Sequence, residues 1–219
     1  MSKIDFEGID AVIFDMDGVI IDSEPISRYV VDQMMFDRGY RVEPELHNEF
    51  VGRKTSVKWK YFVERFALND DVETLTKTSD EQYLMYIQEE EMEPLHGLRY
   101  LLSHLEKLNK KMIVASSATG HNIRLVLDKF GISNYFQDYV SSDDVKQAKP
   151  NPDIFLLAAQ KLAVDPHKCL VIEDSNSGIL AANAAGMASI GFKNPNSGNQ
   201  DLHMAVTVVD SLEEIIDLV

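Results

Sequence analysis

Cysteine is nearly missing from this sequence: Cys169 is the single one in 219 residues, which excludes an internal disulfide framework. It stands in the apolar run Cys169-Leu170-Val171-Ile172, the setting of a buried, inert thiol rather than a nucleophile. Positive charge is scarce too. Lys and Arg number 21 against 36 Asp and Glu, a formal net charge of −15, and no basic cluster interrupts the excess. Nucleic acid and anionic membrane surfaces both need positive patches, so neither is expected as a partner. No apolar run approaches the roughly 20 residues of a membrane span, and Met1 to Gly8 lacks the basic and apolar segments of a signal peptide. These absences point to a cytoplasmic protein, with a monomer as the default expectation. The six histidines are scattered, with no partner at zinc-ligand spacing. Internal repeats and low-complexity tracts are also lacking. What remains, 45% apolar and 26% charged residues, suffices for one large domain or two modest ones.

The chain is organised around Ala11-Val12-Ile13-Phe14-Asp15-Met16-Asp17-Gly18-Val19-Ile20. Four consecutive apolar residues, two of them β-branched, predict a strand buried on both faces. Residues two apart on a strand point the same way, so Asp15 and Asp17 are expected on one side of its carboxyl end. Such a pair can simply cap a turn. An uncompensated buried charge is costly, however, and three later segments supply what an acid pair needs: a hydroxyl, a lysine and two further acids.

From Ser23 to Glu91 the pattern is helical. Ile26, Val30 and Met34 repeat at four and stop at Gly39; Trp59, Phe62, Val63 and Phe66 repeat at i, i+3, i+4 and i+7; Tyr83, Tyr86 and Ile87 mark a third helix. The aromatic stripe reads as packing. The acidic stretch Glu89 to Pro94 reads as a solvated connection. Beyond it strands and helices alternate. Leu98, Leu101, Leu102, Leu105 and Leu108 share a helix face, then Met112 to Ala115 forms a strand ending in Ser116-Ser117. A helix through Ile123 and Phe130 stops at Gly131, and a short strand near Val140 leads into Ser141-Ser142-Asp143-Asp144. Lys149-Pro150-Asn151-Pro152 opens a helix, Cys169 to Ile172 is a strand ending in Glu173-Asp174-Ser175, and Ile179 to Ala185 is a helix stopped by Gly186. Strands at 188–191 and 206–209 follow, with Ser211 and Glu214 spaced as a capping box for a terminal helix. The reading is a Rossmann-like, doubly wound, mostly parallel α/β core formed by residues 1–22 and 92–219, with residues 23–91 inserted as a helical domain.

Asp15, Ser116 and Glu173-Asp174 each fall just past the carboxyl end of an apolar strand, the edge where open parallel sheets bind ligands. Carboxylates converging there cannot all stay ionised without a cation. Hard oxygen donors suit Mg2+, which keeps several waters and bridges to substrate phosphate. An ionised Asp15 beside Mg2+ can attack phosphorus and form an aspartyl-phosphate. Asp17 is placed to protonate the leaving oxygen and then to take a proton from water. Charge stabilisation must carry most of the catalysis. Lys149 supplies a full positive charge, and Ser116 with the N–H groups of Ser117 and Ala118 supplies a phosphate pocket at a helix N-terminus.

In these motifs the sequence resembles the haloacid dehalogenase-like superfamily of Mg2+-dependent phosphohydrolases, over roughly residues 9 to 193, and within it the branch of β-phosphoglucomutase and small sugar-phosphate phosphatases. Asp15-Met16-Asp17-Gly18-Val19, Ile113 to Ser116, Lys149 to Pro152, and Glu173-Asp174-Ser175 with Gly178 match its four motifs. The resemblance implies Asp15 as nucleophile, Asp17 as general acid/base, and Ser116 and Lys149 as phosphate binders. It implies Asp15, the main-chain carbonyl of Asp17, and Asp174 as Mg2+ ligands, with Glu173 close by as a further ligand candidate. The helical insertion becomes a cap that excludes water and reads the leaving group, where Ser23, Arg53, Lys54 and Lys77 are candidate contacts. Ser27 stands where the mutases of this branch carry a histidine, which favours hydrolysis of a small phosphorylated metabolite over a phosphosugar mutase. Asp17 counts against dehalogenase chemistry. A catalytically silent binding domain would be expected to lack one of Asp15, Asp17, Lys149 and Asp174, and all four are present.

Overall fold

Short runs of buried aliphatic residues build the sheet. The computed structural model describes residues 6–51 and 54–218. Six strands, β1 (Ala11–Phe14), β2 (Lys111–Ala115), β3 (Asp138–Val140), β4 (Cys169–Glu173), β5 (Ala188–Phe192) and β6 (Thr207–Val209), lie in the order β3-β2-β1-β4-β5-β6. Every neighbouring pair is parallel. The central strand β1 is fully buried along its length, as is expected of a strand covered on both faces. Its register sets Phe14 between Val114 of β2 and Ile172 of β4. This is the doubly wound order, and its direction reverses between β1 and β4. Ligands of such sheets bind outside the carboxyl ends of the strands at that point.

The helices are α1 (Ser23–Phe36), α2 (Pro44–Asn48), α3 (Thr55–Phe66), α4 (Val72–Glu89), α5 (Leu98–Lys107), α6 (Gly120–Phe130), α7 (Asp153–Leu162), α8 (Asn176–Ala184) and α9 (Leu212–Ile216). None of the described helices is long and apolar enough to cross a membrane. The chain divides into two compact units. An α/β unit joins the segment ending at Asp22 to the segment beginning at Met92, and a helical unit is Ser23–Glu91. In the α/β unit, Ile13, Ile113 and Val171 pack with Phe155 and Ala158 of α7 and with Ala181 and Ala182 of α8. The small alanines let α8 approach the sheet closely. Cys169 is buried in this cluster, and burial pushes its thiol up to about 11, so it stays a protonated packing group. In the helical unit, Val30, Met34, Met35, Trp59, Phe62 and Leu75 form a separate core.

Local details depart from the sequence pattern in three places. β1 ends at Phe14, so Asp15 and Asp17 lie in the loop after the strand and strand alternation does not orient them. The five-residue α2, started by Pro44, is too short to show periodicity. Before α9, Ser211 caps through its hydroxyl, accepting from Glu213 N–H at 3.1 Å, but Glu214 accepts from Asp210 N–H instead of closing a box. A complete capping box forms at Ser141, whose N–H and hydroxyl both donate to Asp144.

Candidate active site

Asp15 is the first residue beyond β1, and its N–H donates to Ile172 O of β4 at 3.0 Å, which fixes it at the reversal point of the sheet. The chain then coils tightly. Met16 O accepts from the N–H groups of Val19, Ile20 and Ile21 at 3.3, 2.8 and 3.1 Å, and Gly18 N–H returns to Ile21 O at 2.8 Å. Gly18 has φ +78°, and a Cβ there would lie 1.9 Å from Asp174 Oδ2. Only glycine permits both that backbone conformation and the approach of this loop to the end of β4.

Asp15, Glu173 and Asp174 are 7%, 1% and 7% exposed, and one carboxylate oxygen from each lies within 4.8 Å of the other two. Among the described residues this is the one group of three such side chains able to hold a metal. Lys149, just before α7, reaches into it. Its Nζ donates to Asp15 Oδ1 at 2.6 Å, Glu173 Oε1 at 2.7 Å and Ala115 O at 3.3 Å, and lies 4.9 Å from the centre of the Phe155 ring. Glu173 is committed at both oxygens, because Oε2 accepts the N–H and hydroxyl of Ser175, each at 2.8 Å. Ser175 is also the N-cap of α8, accepting Gly178 N–H at 3.1 Å. A Cβ on Gly178 would come 1.7 Å from Glu173 Oε1, so glycine is required for α8 to begin beside this carboxylate. Asp174 Oδ2 accepts from the Ser197 hydroxyl.

Burial dominates the electrostatics. It raises the Asp15 carboxyl to about 7, with Glu173 and Asp17 adding to the effect and Lys149 opposing it. The Asp174 carboxyl is raised for the same reason, then by Glu173 and Asp15. Burial pulls the Lys149 ammonium down, but Asp15 and Glu173 more than reverse that and hold it charged. Three carboxylates therefore share one ammonium in a region shielded from water. The remaining negative charge and the all-oxygen donor set fit a hard divalent cation. Asp15 and Asp174 would hold it, while Glu173 is occupied in fixing Lys149.

Asp15, Lys149, Glu173 and Asp174 are thus brought into direct contact or close approach. Asp17 is half-buried in the loop, where its backbone bridges to Ile21. Ser116 is fully buried just beyond β2, next to the Ala115 carbonyl that Lys149 contacts. The cap of α6 is Thr119, so exposed Ser117 and half-buried Ala118 precede the helix, and Ala118 N–H donates to Ser116 Oγ at 3.0 Å. In the helical unit, Ser23 opens α1, Lys54 is exposed at the start of α3, and Lys77 is a solvated partner of Glu81 at 3.8 Å. Arg53 lies outside the described residues. Residues not anticipated from the sequence are Asn194, Asn196 and Ser197. Their one advance signal is an Asn-Pro-Asn-Ser turn close behind the carboxyl end of β5.

Comparison with known proteins identifies the family. The model of the haloacid dehalogenase-like hydrolase family matches residues 9–186. The fructose-1-phosphate phosphatase of Escherichia coli is 31% identical, over 84% of this chain and 97% of its own length. The phosphorylated carbohydrates phosphatase of Thermotoga maritima is 29% identical, over 96% and 98%. Among solved structures, the β-phosphoglucomutase of Clostridium difficile superposes with a TM-score of 0.76 at 28% identity, covering 94% of this chain and 93% of that one. The family match spans β1 through α8 and includes every residue of the acid–lysine cluster, so the chain belongs to the haloacid dehalogenase-like hydrolases.

Proposed function

We infer that the protein is a Mg2+-dependent phosphomonoester hydrolase acting on a small phosphorylated metabolite, a sugar phosphate above all, through an aspartyl-phosphate on Asp15. The observation that carries this reading is the buried trio Asp15, Glu173 and Asp174 clamped by Lys149. Mg2+ held by Asp15, Asp174 and the Asp17 carbonyl would neutralise the site and polarise the phosphoryl oxygens. Asp15 uses a carboxylate oxygen to attack phosphorus. Lys149 offsets charge on the transferring group, and the Ser116 hydroxyl, whose oxygen already accepts Ala118 N–H, has its proton free to donate to a phosphate oxygen. Ser117 N–H is a second donor. Asp17 protonates the departing oxygen and then deprotonates the water that releases phosphate. The helical unit serves as the cap that selects the leaving group.

The sugar-phosphate preference draws on the two phosphatases reported above, and the solved mutase keeps a second reading in play. A phosphate-release screen across sugar phosphates, phosphoglycolate, nucleotides and pyrophosphate, with Mg2+ or chelator, tests the first. Release that persists in chelator refutes it. Incubation with glucose 1-phosphate and a trace of the bisphosphate separates the two, since free phosphate marks the hydrolase and glucose 6-phosphate the mutase. At Ser27, the position that separates them in sequence, the hydroxyl accepts from Lys58 Nζ at 3.3 Å.

A further inference from the structure

Beyond β5 the chain turns through Asn194-Pro195-Asn196-Ser197 before reaching β6. Asn194, 4% exposed, accepts Asn196 N–H at 2.8 Å on Oδ1, closing an Asx turn. Its Nδ2 then donates to Gly18 O at 3.0 Å and Asp22 Oδ1 at 3.4 Å. Asn196 Nδ2 donates to Asp22 Oδ2 at 2.6 Å, and Ser197, 8% exposed, donates to Asp174 Oδ2. Gln200 ties the turn down by donating to Ser197 O and accepting Asn176 N–H at the start of α8, both at 3.1 Å.

The Asx turn alone would suffice to reverse the chain. These side chains instead grip a carboxylate of the acid trio, the carbonyl of the Gly18 loop, and Asp22, the last residue of the α/β unit before Ser23 opens α1. We propose that Ser197 is a positioning residue for Asp174, and that through Asn194 and Asn196 the same turn couples cation uptake at Asp174 to the order of the first linker, Gly18–Asp22. A hydroxyl donated to Oδ2 fixes the rotation of the Asp174 carboxylate and leaves Oδ1 for a cation. Partners of this kind behind metal ligands contribute about 10–100-fold in metal affinity.

The inference rests on the Mg2+ reading above, and its test uses the full chain, with titration and exchange in the absence of substrate and phosphate release in its presence. In calorimetric titration with Mg2+, Ser197→Ala weakens binding about 10–100-fold. In phosphate release it raises the Mg2+ concentration for half-activity while leaving kcat at saturating Mg2+ within a few-fold. In hydrogen–deuterium exchange, Mg2+ slows exchange across residues 18–24 of the unsubstituted protein, and Asn196→Ala abolishes that protection. Should Ser197→Ala fail to fold, Ser197→Cys, similar in size but a weaker donor, carries the same test. Mg2+ affinity unchanged in the Ser197 variant, or linker protection retained in Asn196→Ala, overturns the coupling. An unsubstituted chain that takes up no Mg2+ at all overturns the metal reading itself, and the coupling with it.

Discussion

The α/β unit and the helical unit both bury ionisable groups, mainly acidic in the first and basic in the second. In the first, three carboxylates surround one ammonium, and short hydrogen bonds hold each of the four groups. Among the described residues of the second, the most buried ionisable groups are basic. Lys58 is 3% exposed among Glu24, Arg28 and Asp32, and His47 is 2% exposed with Nε2 at 2.9 Å from Asp32 Oδ1. Loss of water acts on both, raising the carboxyls of Asp15 and Asp174 and lowering the ammonium of Lys58 and the imidazole of His47. The consequences differ. Around Lys58 and His47, Glu24 and Asp32 of α1 supply the opposite charge, and stability comes from a neighbouring aromatic cluster in which Phe62 meets Phe50, Trp59, Tyr61 and Phe66. Around Asp15 the negative excess is left within the protein itself. Packing gives no reason for it, whereas a cation does.

The comparison breaks most visibly at Asp15. Asp15→Asn removes the oxygen proposed to attack phosphorus and should reduce phosphate release by more than about 10³-fold, over 4 kcal/mol in the barrier, with the circular-dichroism spectrum unchanged. Substantial residual turnover would take the nucleophile's role from Asp15. In the helical unit the largest effect belongs to packing. Phe62→Ala should cost about 3–5 kcal/mol, seen as a lower urea midpoint in the fluorescence of Trp59, the only tryptophan and itself fully buried in this unit. Mg2+ uptake should survive that substitution. A loss under about 1 kcal/mol would mean that the aromatic cluster is not what holds the helices together.

The contrast was only partly legible in the sequence. β1, β2 and β4 announce themselves because strands buried on both faces read as short continuous apolar runs, and the polar residues that end them stand out. Lys149 stands out beside its prolines, but its contact with Asp15, 134 residues away, follows from the crossing of the sheet and not from spacing. Asn194, Asn196 and Ser197 escape entirely. Asn-Pro-Asn-Ser is ordinary turn chemistry, and hydrogen bonds to Gly18, Asp22 and Asp174 leave no periodic trace. The buried Lys58 likewise reads as a solvated residue on an amphipathic helix until its surroundings are known.

Proton linkage sharpens the α/β side. Asp15, at about 7 in the folded chain against an ordinary 3.8, and Asp174, also raised, stay protonated where the unfolded chain has already ionised. The contribution of Asp15 is fully present below about pH 4 and is lost as pH rises through about 7, by a few kcal/mol, and that of Asp174 is lost in the same direction. On the proposed function, Mg2+ would bind the ionised forms and offset that loss. The gain in melting temperature on adding Mg2+ should therefore be larger at pH 8 than at pH 5, and a gain independent of pH would count against these carboxylates as the ligands.

His47 supplies the smallest effect, with the opposite sign. Its imidazole lies below the ordinary 6.5 in the folded chain, chiefly through burial, despite the Asp32 hydrogen bond that favours the charged form. The folded state therefore binds fewer protons than the unfolded one near that value. Its contribution is present above about pH 6.5 and is lost as pH falls. Trp59 fluorescence in urea should show the helical unit weakening between pH 8 and pH 5.5, the range over which the metal-free α/β unit gains. His47→Gln should flatten that acid limb while costing about 1 kcal/mol at pH 8 for the altered bond to Asp32. If the limb persists unchanged in His47→Gln, the acid sensitivity belongs to other groups in the helical unit, and the opposition between the two units is one of packing and not of buried charge.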